Sequence, residues 1–154
     1  MSIRTFGTNS NVSKKQIRQA CKYFLTQLVG DKMASSLVIR IKFVSRLVDD
    51  HDPSIELYGD LEWLETNNKP RQYLLRINSS ERKSLQLLSL AHECVHVKQF
   101  ATGEMMEYIK YPSHFRWRKK KIDCDRVEYE KLPWENEAFR VAKQLYKQYI
   151  QLYD

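Results

Sequence analysis

Apolar side chains recur along the chain with two different periods, and the change of period predicts the secondary structure. From Ser13 to about Val29 they recur every three or four residues, which is typical of an amphipathic helix, and Gly30 is expected to end it. A last helix with the same period is predicted from Pro133 to about residue 151. The apolar positions are Ile17, Ala20, Cys21, Phe24, Leu25 and Leu28 in the first helix, and Trp134, Ala138, Val141, Ala142, Leu145 and Tyr149 in the last.

Between these two helices the pattern changes to the alternation of β-strands. Leu37 to Val44 is rich in β-branched residues, and Glu56 to Glu65 alternates around apolar positions, with a kink expected at Gly59. Gln72 to Asn78 predicts a third strand, and a second long helix follows over about residues 81–102. The order helix, three strands, helix, connector, helix predicts an α+β fold with a small, mainly antiparallel sheet.

Two segments lack a clear period. Residues 1–12 are predicted to be a loose polar start, and residues 105–131 are aromatic, basic and irregular, with short strands at most. The chain has no internal repeat and no Ser/Gly-rich linker. Its 154 residues, 42% hydrophobic and 29% charged, are enough to bury a core, so residues 1–154 are predicted to form one domain.

The bulk composition narrows the possible partners and compartments. No apolar run approaches the length of a membrane span, and the N-terminal residues lack the apolar core of a signal peptide, so no membrane partner is expected. Three cysteines without a Cys-x-x-Cys pair fit free thiols in a reducing cytoplasm, where we expect the protein to be located. The net charge of +7 fits either a solubilising surface or attraction to nucleic acid.

The most specific chemical signal lies within the second long helix, which contains the pattern His-Glu-x-x-His. His92 and His96 are four residues apart, so both imidazoles project from one face of the helix and can bind one metal ion. Glu93 follows the first histidine, where its carboxylate can reach a metal-bound water and act as a general base. Cys94 points away from the histidine face and is interpreted as a packing residue. The pattern predicts a zinc site.

A catalytic zinc site needs a third protein ligand and an open position for water, and the chain offers two sources for that ligand. The first is the start of the last helix, where Glu135 and Glu137 lie about 200° apart around the helix axis and cannot easily face the same metal. The second is His114, in the connector. On the residues alone, these alternatives stay open.

The His-Glu-x-x-His helix, the strands before it and Glu-x-x-Ala on a later helix resemble the zincin metallopeptidases of the gluzincin type. More narrowly, residues 92–104 together with residues 129–138 are similar to small, phage-encoded metallopeptidases. The resemblance implies a minimal zincin domain, a zinc-dependent endopeptidase acting on a protein or peptide substrate, and, for a phage protein, the host cytoplasm. The zinc ligands that it implies are His92, His96 and Glu135, with Glu93 as the catalytic base.

Two positions depart from that family pattern. Phe139 stands where gluzincins often carry an acid or amide after Glu-x-x-Ala, so a partner for a ligating histidine must come from elsewhere. Lys98 stands where zincin helices usually carry a hydrophobic residue. Gln99 lies near the His96 face and is a candidate for a hydrogen bond to the site. The candidates for a hydroxyl that stabilises the oxyanion are Tyr108, Tyr111 and Tyr129.

Two other functions fit parts of the chain. His114 and the basic run 116–121 resemble, more distantly, the SprT-like proteases, which use a third histidine after the motif helix and act on proteins bound to DNA. In that case Glu135 would be unexplained, and Phe115 replaces the usual glycine after the histidine. The alternative from another class is a basic module that binds nucleic acid or a partner protein through the run 116–121 and keeps a structural or vestigial zinc site.

Overall fold

Three helices and two small sheets form the part of the chain that the computed structural model describes, which comprises residues 1–65, 67–108 and 110–153. This content confirms the predicted α+β class. In chain order the elements are β1 (Ser2–Phe6), α1 (Lys14–Ser35), β2 (Val38–Val44), β3 (Gly59–Trp63), β4 (Gln72–Asn78), α2 (Lys83–Ala101), β5 (Met105–Glu107), β6 (His114–Trp117), β7 (Lys120–Asp123) and α3 (Pro133–Tyr153).

The larger sheet has the strand order β1-β2-β4-β3 and is mixed. Strand β2 runs parallel to both β1 and β4, and the antiparallel pairing is that of β3 with β4. The prediction of a mainly antiparallel sheet is therefore wrong for the sheet that packs on the motif helix. The physical reasons are the crossover through α1, which makes β1 a parallel neighbour of β2, and the position of β4 between β2 and β3, which places β4 parallel to β2.

The N-terminal residues form a strand rather than the loose start predicted from their polarity. Strand β1 pairs with β2 along its whole length, from Ser2 opposite Val38 to Phe6 opposite Lys42. It lies at the edge of the sheet, and its alternate side chains are exposed. A five-residue edge strand carries too few apolar side chains for its period to be recognised in the sequence.

Helix α1 continues beyond its predicted end. Gly30 adopts φ 80° and ψ 166°, which interrupts the helical backbone before the helix resumes and runs to Ser35. Glycine is the residue that adopts such a conformation without steric cost. The glycine is therefore a break within the helix and not its end.

The motif helix α2 lies at the centre of the molecule. It packs against α1, α3 and the larger sheet, and its side chains are buried on most of its surface. Cys94 is completely buried, with its sulfur 4.0 Å from that of Cys21 on α1, which confirms its interpretation as a packing residue. A helix that is buried nearly all round shows little amphipathic contrast, in keeping with its central position.

The connector between α2 and α3 contains the second sheet, β5-β6-β7, which is antiparallel. A two-residue turn joins β6 to β7, and both of its residues, Arg118 and Lys119, have positive φ values, of 46° and 74°. Turns of this kind usually carry glycine or asparagine, so the hairpin gives no recognisable turn signal in the sequence. No helix in the described ranges is long and apolar enough to cross a membrane.

Candidate metal centre

Two helices bring together three side chains that could hold a metal ion. His92 and His96 come from α2 and Glu135 comes from the first turn of α3, and their ligand atoms all lie within 4.8 Å of one another. Glu135 Oε1 is 2.6 Å from His96 Nε2 and 3.3 Å from His92 Nε2, and the two Nε2 atoms are 3.1 Å apart. Two imidazole nitrogens and one carboxylate oxygen form a set that could hold a divalent metal ion.

The start of α3 is built to present Glu135 at this point. Pro133 occupies the first helical position, where its missing N–H has no helical partner to lose. The Glu135 carboxylate then lies in the first turn, which favours negative charge. Ala138, one turn further on, is completely buried, and its small side chain permits the close packing of α3 on α2.

Each charge in this cluster affects the pKa values of its neighbours. Burial alone would raise the pKa of Glu135, but the hydrogen bonds from His92 and His96 hold it well below its usual range. Burial alone would lower the pKa of His96, but its hydrogen bond to Glu135 and the charges of Glu93 and Glu135 raise that pKa to about 9. Without metal, Glu135 and His96 therefore form a carboxylate–imidazolium pair.

Gln99 fixes the orientation of His96. Its Oε1 accepts a hydrogen bond from His96 Nδ1 at 2.7 Å, while its Nε2 donates to the backbone oxygen of Trp134 at 3.0 Å. Since a carbonyl oxygen can only accept, this second bond sets the orientation of the amide, and His96 Nδ1 must carry a hydrogen. In the neutral ring the lone pair of Nε2 then faces His92 and Glu135, where it is free to bind a metal ion.

Glu137 lies outside the ligand cluster, in a group of ion pairs. Its Oε1 accepts from Lys98 at 3.1 Å and from Gln99 at 3.2 Å, and its Oε2 accepts from Arg118 at 2.5 Å. Lys98 also pairs with Glu104 at 2.5 Å. These contacts explain the lysine that departs from the family pattern, because it bridges acids from α3 and from the segment after α2.

His114 lies on β6, outside the ligand cluster. Its Nδ1 donates to the backbone oxygen of Pro112 at 2.9 Å, and its Nε2 is 3.6 Å from Asp123. Of the three sequence alternatives for the third ligand, Glu135 is the one placed beside the two histidines.

Glu93 adjoins the cluster and is only 7% exposed. Burial raises its pKa, opposed by the charges of His96 and His92. Gly59, the first residue of β3, lies against it. A side chain there would place its Cβ 3.5 Å from Glu93 Cγ and 3.0 Å from a backbone oxygen of β4, so the glycine permits the close approach of this edge strand to the carboxylate.

Two aromatic side chains complete the walls of the site. The Phe139 ring lies 4.6 Å from the His92 imidazole at an angle of 60°, so an aromatic contact stands where the family pattern would place a polar group. Of the three candidate tyrosines, Tyr129 faces the Glu135 carboxylate and helps to lower its pKa. The other two, Tyr108 and Tyr111, lie beneath the ammonium group of a lysine in the smaller sheet.

Two cavities adjoin Glu93, and both are lined by Leu57, Gly59, Glu93 and Tyr129. The larger has a volume of about 640 Å³ and the smaller about 300 Å³. The apolar wall of the larger is both aliphatic and aromatic, and the charged residues Asp49, Glu56 and Lys143 also border it, whereas the apolar wall of the smaller is mainly aromatic. These walls include Ile55, Leu85 and Leu88 in the larger cavity, and Trp63, Phe100, Phe115 and Trp134 in the smaller.

The role of Arg118 was not predicted from the sequence. Its guanidinium holds Glu137, which in turn accepts from Gln99. The sequence did contain one indication of these ion pairs, because a lysine in an otherwise apolar stretch of helix requires acidic partners. Lys98 therefore indicated the cluster, although not the position of its members.

Comparisons with known protein families, with curated proteins and with solved structures found no match to this chain. The resemblance to gluzincins therefore rests on the motifs and on the side chains that the fold brings together.

Proposed function

We propose that this protein is a zinc-dependent peptidase whose ligands are His92, His96 and Glu135. The observation that carries the proposal is the convergence of two histidines of one helix with a buried glutamate of another, beside a second buried glutamate. Two histidines and a glutamate make up a catalytic ligand set that leaves a position open for water. The choice of zinc over other divalent ions rests on this ligand chemistry.

In the proposed reaction, Glu93 is the proton carrier. Bound zinc would supply a Lewis acid that polarises the scissile carbonyl and lowers the pKa of a coordinated water toward about 7. Glu93 takes a proton from the attacking water and passes it to the leaving amine. Its raised pKa suits this exchange, because burial makes the carboxylate a better base. The Tyr129 side chain lines both cavities, and its hydroxyl is the proposed donor of a hydrogen bond to the carbonyl oxygen.

The proposed substrate is an extended peptide that pairs with β3. This strand is an edge of the larger sheet, and an edge strand can accept a further strand by backbone hydrogen bonds. Antiparallel pairing would run the peptide from the Trp63 end of β3 toward Gly59. Its N-terminal side would then lie at the smaller cavity, which Trp63 lines, and its C-terminal side at the larger one.

The test is hydrolysis of a peptide library by zinc-loaded protein, with the cut sites read by mass spectrometry. We expect a large apolar residue directly after the cut bond, no cleavage with chelator, and none with Glu93→Gln. Zinc-loaded wild-type protein that cuts no member of a diverse library and no unfolded protein would refute the proposal.

The alternative that the run 116–121 binds nucleic acid has less support. Arg118 is engaged by Glu104 and Glu137, and the Lys121 ammonium lies 4.0 Å above the Tyr111 ring. The SprT-like alternative also has less support, because His114 lies outside the cluster of His92, His96 and Glu135 and contacts the backbone of Pro112 instead.

A further inference from the structure

The net excess of positive charge lies in the first third of the chain. Residues 1–48 contain nine of the 26 lysines and arginines and one of the 19 acids, whereas residues 49–154 contain 17 basic and 18 acidic residues. The net charge of +7 therefore originates in β1, α1, β2 and their connections. A charge asymmetry of this size indicates a surface that meets a polyanion.

The strand register gathers part of this charge on one face of the larger sheet. Arg4 on β1 is the register partner of Arg40 on β2, and Lys42 lies between Phe6 and Arg76. Register partners point to the same side of a sheet, on strands about 4.8 Å apart. Like charges placed directly opposite each other destabilise a sheet, so this arrangement has a cost in the isolated protein. We call Arg4, Arg40 and Lys42 the basic sheet face.

The basic sheet face is open and lacks acidic partners. Its three side chains are exposed, while the alternate residues of β2 are buried against the helices on the other side. Within the described ranges, none of the three side chains takes part in an ion pair or a side-chain hydrogen bond. Arg76, on the next strand, is by contrast paired with Asp60 and Asp50. The positive charges without an acidic partner on this face are therefore those of β1 and β2.

Helix α1 extends this surface around the edge of the sheet. No acid precedes Asp31 in the chain, so the first four turns of the helix carry positive charge alone. The Arg18 guanidinium donates to the Thr5 hydroxyl at 3.0 Å, which joins the helix to β1. The exposed cations of this part of α1 are Lys14, Lys15, Arg18 and Lys22.

From this arrangement we infer that the basic sheet face and the adjoining surface of α1 bind the phosphate backbone of a nucleic acid. Several cations along two neighbouring strands can follow successive phosphates, and the Phe6 ring beside Lys42, 46% exposed, offers a surface on which a base can stack. A membrane surface fits less well, because the face presents no group of apolar side chains for insertion. Strands β1 and β3 are opposite edges of the sheet, so nucleic acid and a peptide on β3 would not compete.

The test is fluorescence anisotropy with a labelled DNA of about 30 nucleotides, as a single strand and as a duplex. The variant Arg4→Gln/Arg40→Gln/Lys42→Gln is compared with wild type from about 50 to 200 mM salt. We expect affinity to fall at least about tenfold, and the salt dependence of single-strand binding to lose about two units of slope, since each phosphate contact contributes about 0.7. The matched control is Lys119→Gln/Lys120→Gln/Lys121→Gln, which removes the same charge from the hairpin of the smaller sheet and should bind nearly as wild type.

Equal losses of DNA affinity in the two triple variants would show that the affinity depends on net charge and not on a particular surface, and would overturn the inference. So would a larger loss in the hairpin variant, which would move the contact to the run 116–121, or binding to vesicles of anionic phospholipid without binding to either DNA. Thermal melts check that both variants fold, and the single variants Arg40→Gln and Lys120→Gln repeat the comparison if a triple variant does not. Because binding is measured without hydrolysis, failure here is separate from failure of the proposed peptidase.

Discussion

Glu135 Oε1 lies 2.6 Å from His96 Nε2, and this contact joins the two central elements of the molecule, α2 and α3. The two groups stabilise each other's charge, because the glutamate has a lowered pKa and the histidine has a pKa raised to about 9. A metal ion that binds both atoms must replace an existing ion pair and displace its proton. In the metal-free protein, this ion pair thus already holds His96 and Glu135 next to each other.

Metal affinity is therefore expected to depend on pH. His96 keeps its proton up to a pH of about 9 in the metal-free protein, so each pH unit below that value should change zinc affinity about tenfold, with stronger binding at higher pH. Competition with a chelating dye at several pH values measures this slope. An affinity that does not change between pH 7 and about 9 would mean that the proton is not on His96.

The third ligand can be separated from its neighbour on the same helix. Glu135→Ala should weaken zinc binding far more than Glu137→Ala, because only the first removes an atom of the ligand cluster. Glu137→Ala should instead lower the free energy of unfolding, by about 1–3 kcal/mol, because Lys98 and Arg118 lose a partly buried partner. Zinc titration and thermal melts of both variants, with His114→Ala as a third, distinguish the roles. A large loss of zinc in His114→Ala alone would support the SprT-like alternative.

Glu93, the proposed base, should be dispensable for zinc binding and essential for peptide hydrolysis. Glu93→Gln keeps the shape of the side chain but cannot accept a proton, so it should retain zinc and lose about 10²–10⁴-fold in activity. The measurements are metal content and cleavage of the best peptide found for wild type. If Glu93→Gln loses zinc while Glu135→Gln retains it, the proposed roles of the two glutamates are reversed.

Gln99 should act on the metal through His96. Gln99→Ala removes the acceptor for His96 Nδ1 and should weaken zinc binding about 10–100-fold. The matched control is Gln86→Ala, on the same helix. Gln86 is equally buried and bonds to Asn9 and to the backbone of Glu81, away from the site. Both variants should lose stability, but only Gln99→Ala should lose zinc affinity, and equal zinc affinities would show that Gln99 has a structural role alone.

The sequence predicted the elements whose period is regular and missed those that depend on distant partners. Helix α2 and strand β4 were predicted closely because they face the core. Strand β1 is a short edge strand, and the Arg118-Lys119 turn lacks glycine, so neither is visible in the pattern. The parallel pairing of the larger sheet could not be predicted, because it depends on β1 and on the position of β4 between β2 and β3.

The candidate site also has parts that the sequence predicts and parts that depend on tertiary contacts. The spacing of His92 and His96 sets their common face, because both lie on one helix. Glu135 could be selected over Glu137 only through the family resemblance and the helical offset, and its role as a ligand stays a prediction. The contacts of Gln99 to Trp134 and Glu137 depend on how α3 docks, which no local pattern encodes.

The 43-residue separation of His92 and Glu135 also orders events during synthesis. The histidine pair leaves the ribosome well before the glutamate that completes the ligand set, and the two helices must dock before all three atoms meet. If the protein is the peptidase proposed here, it is inert while it is being made.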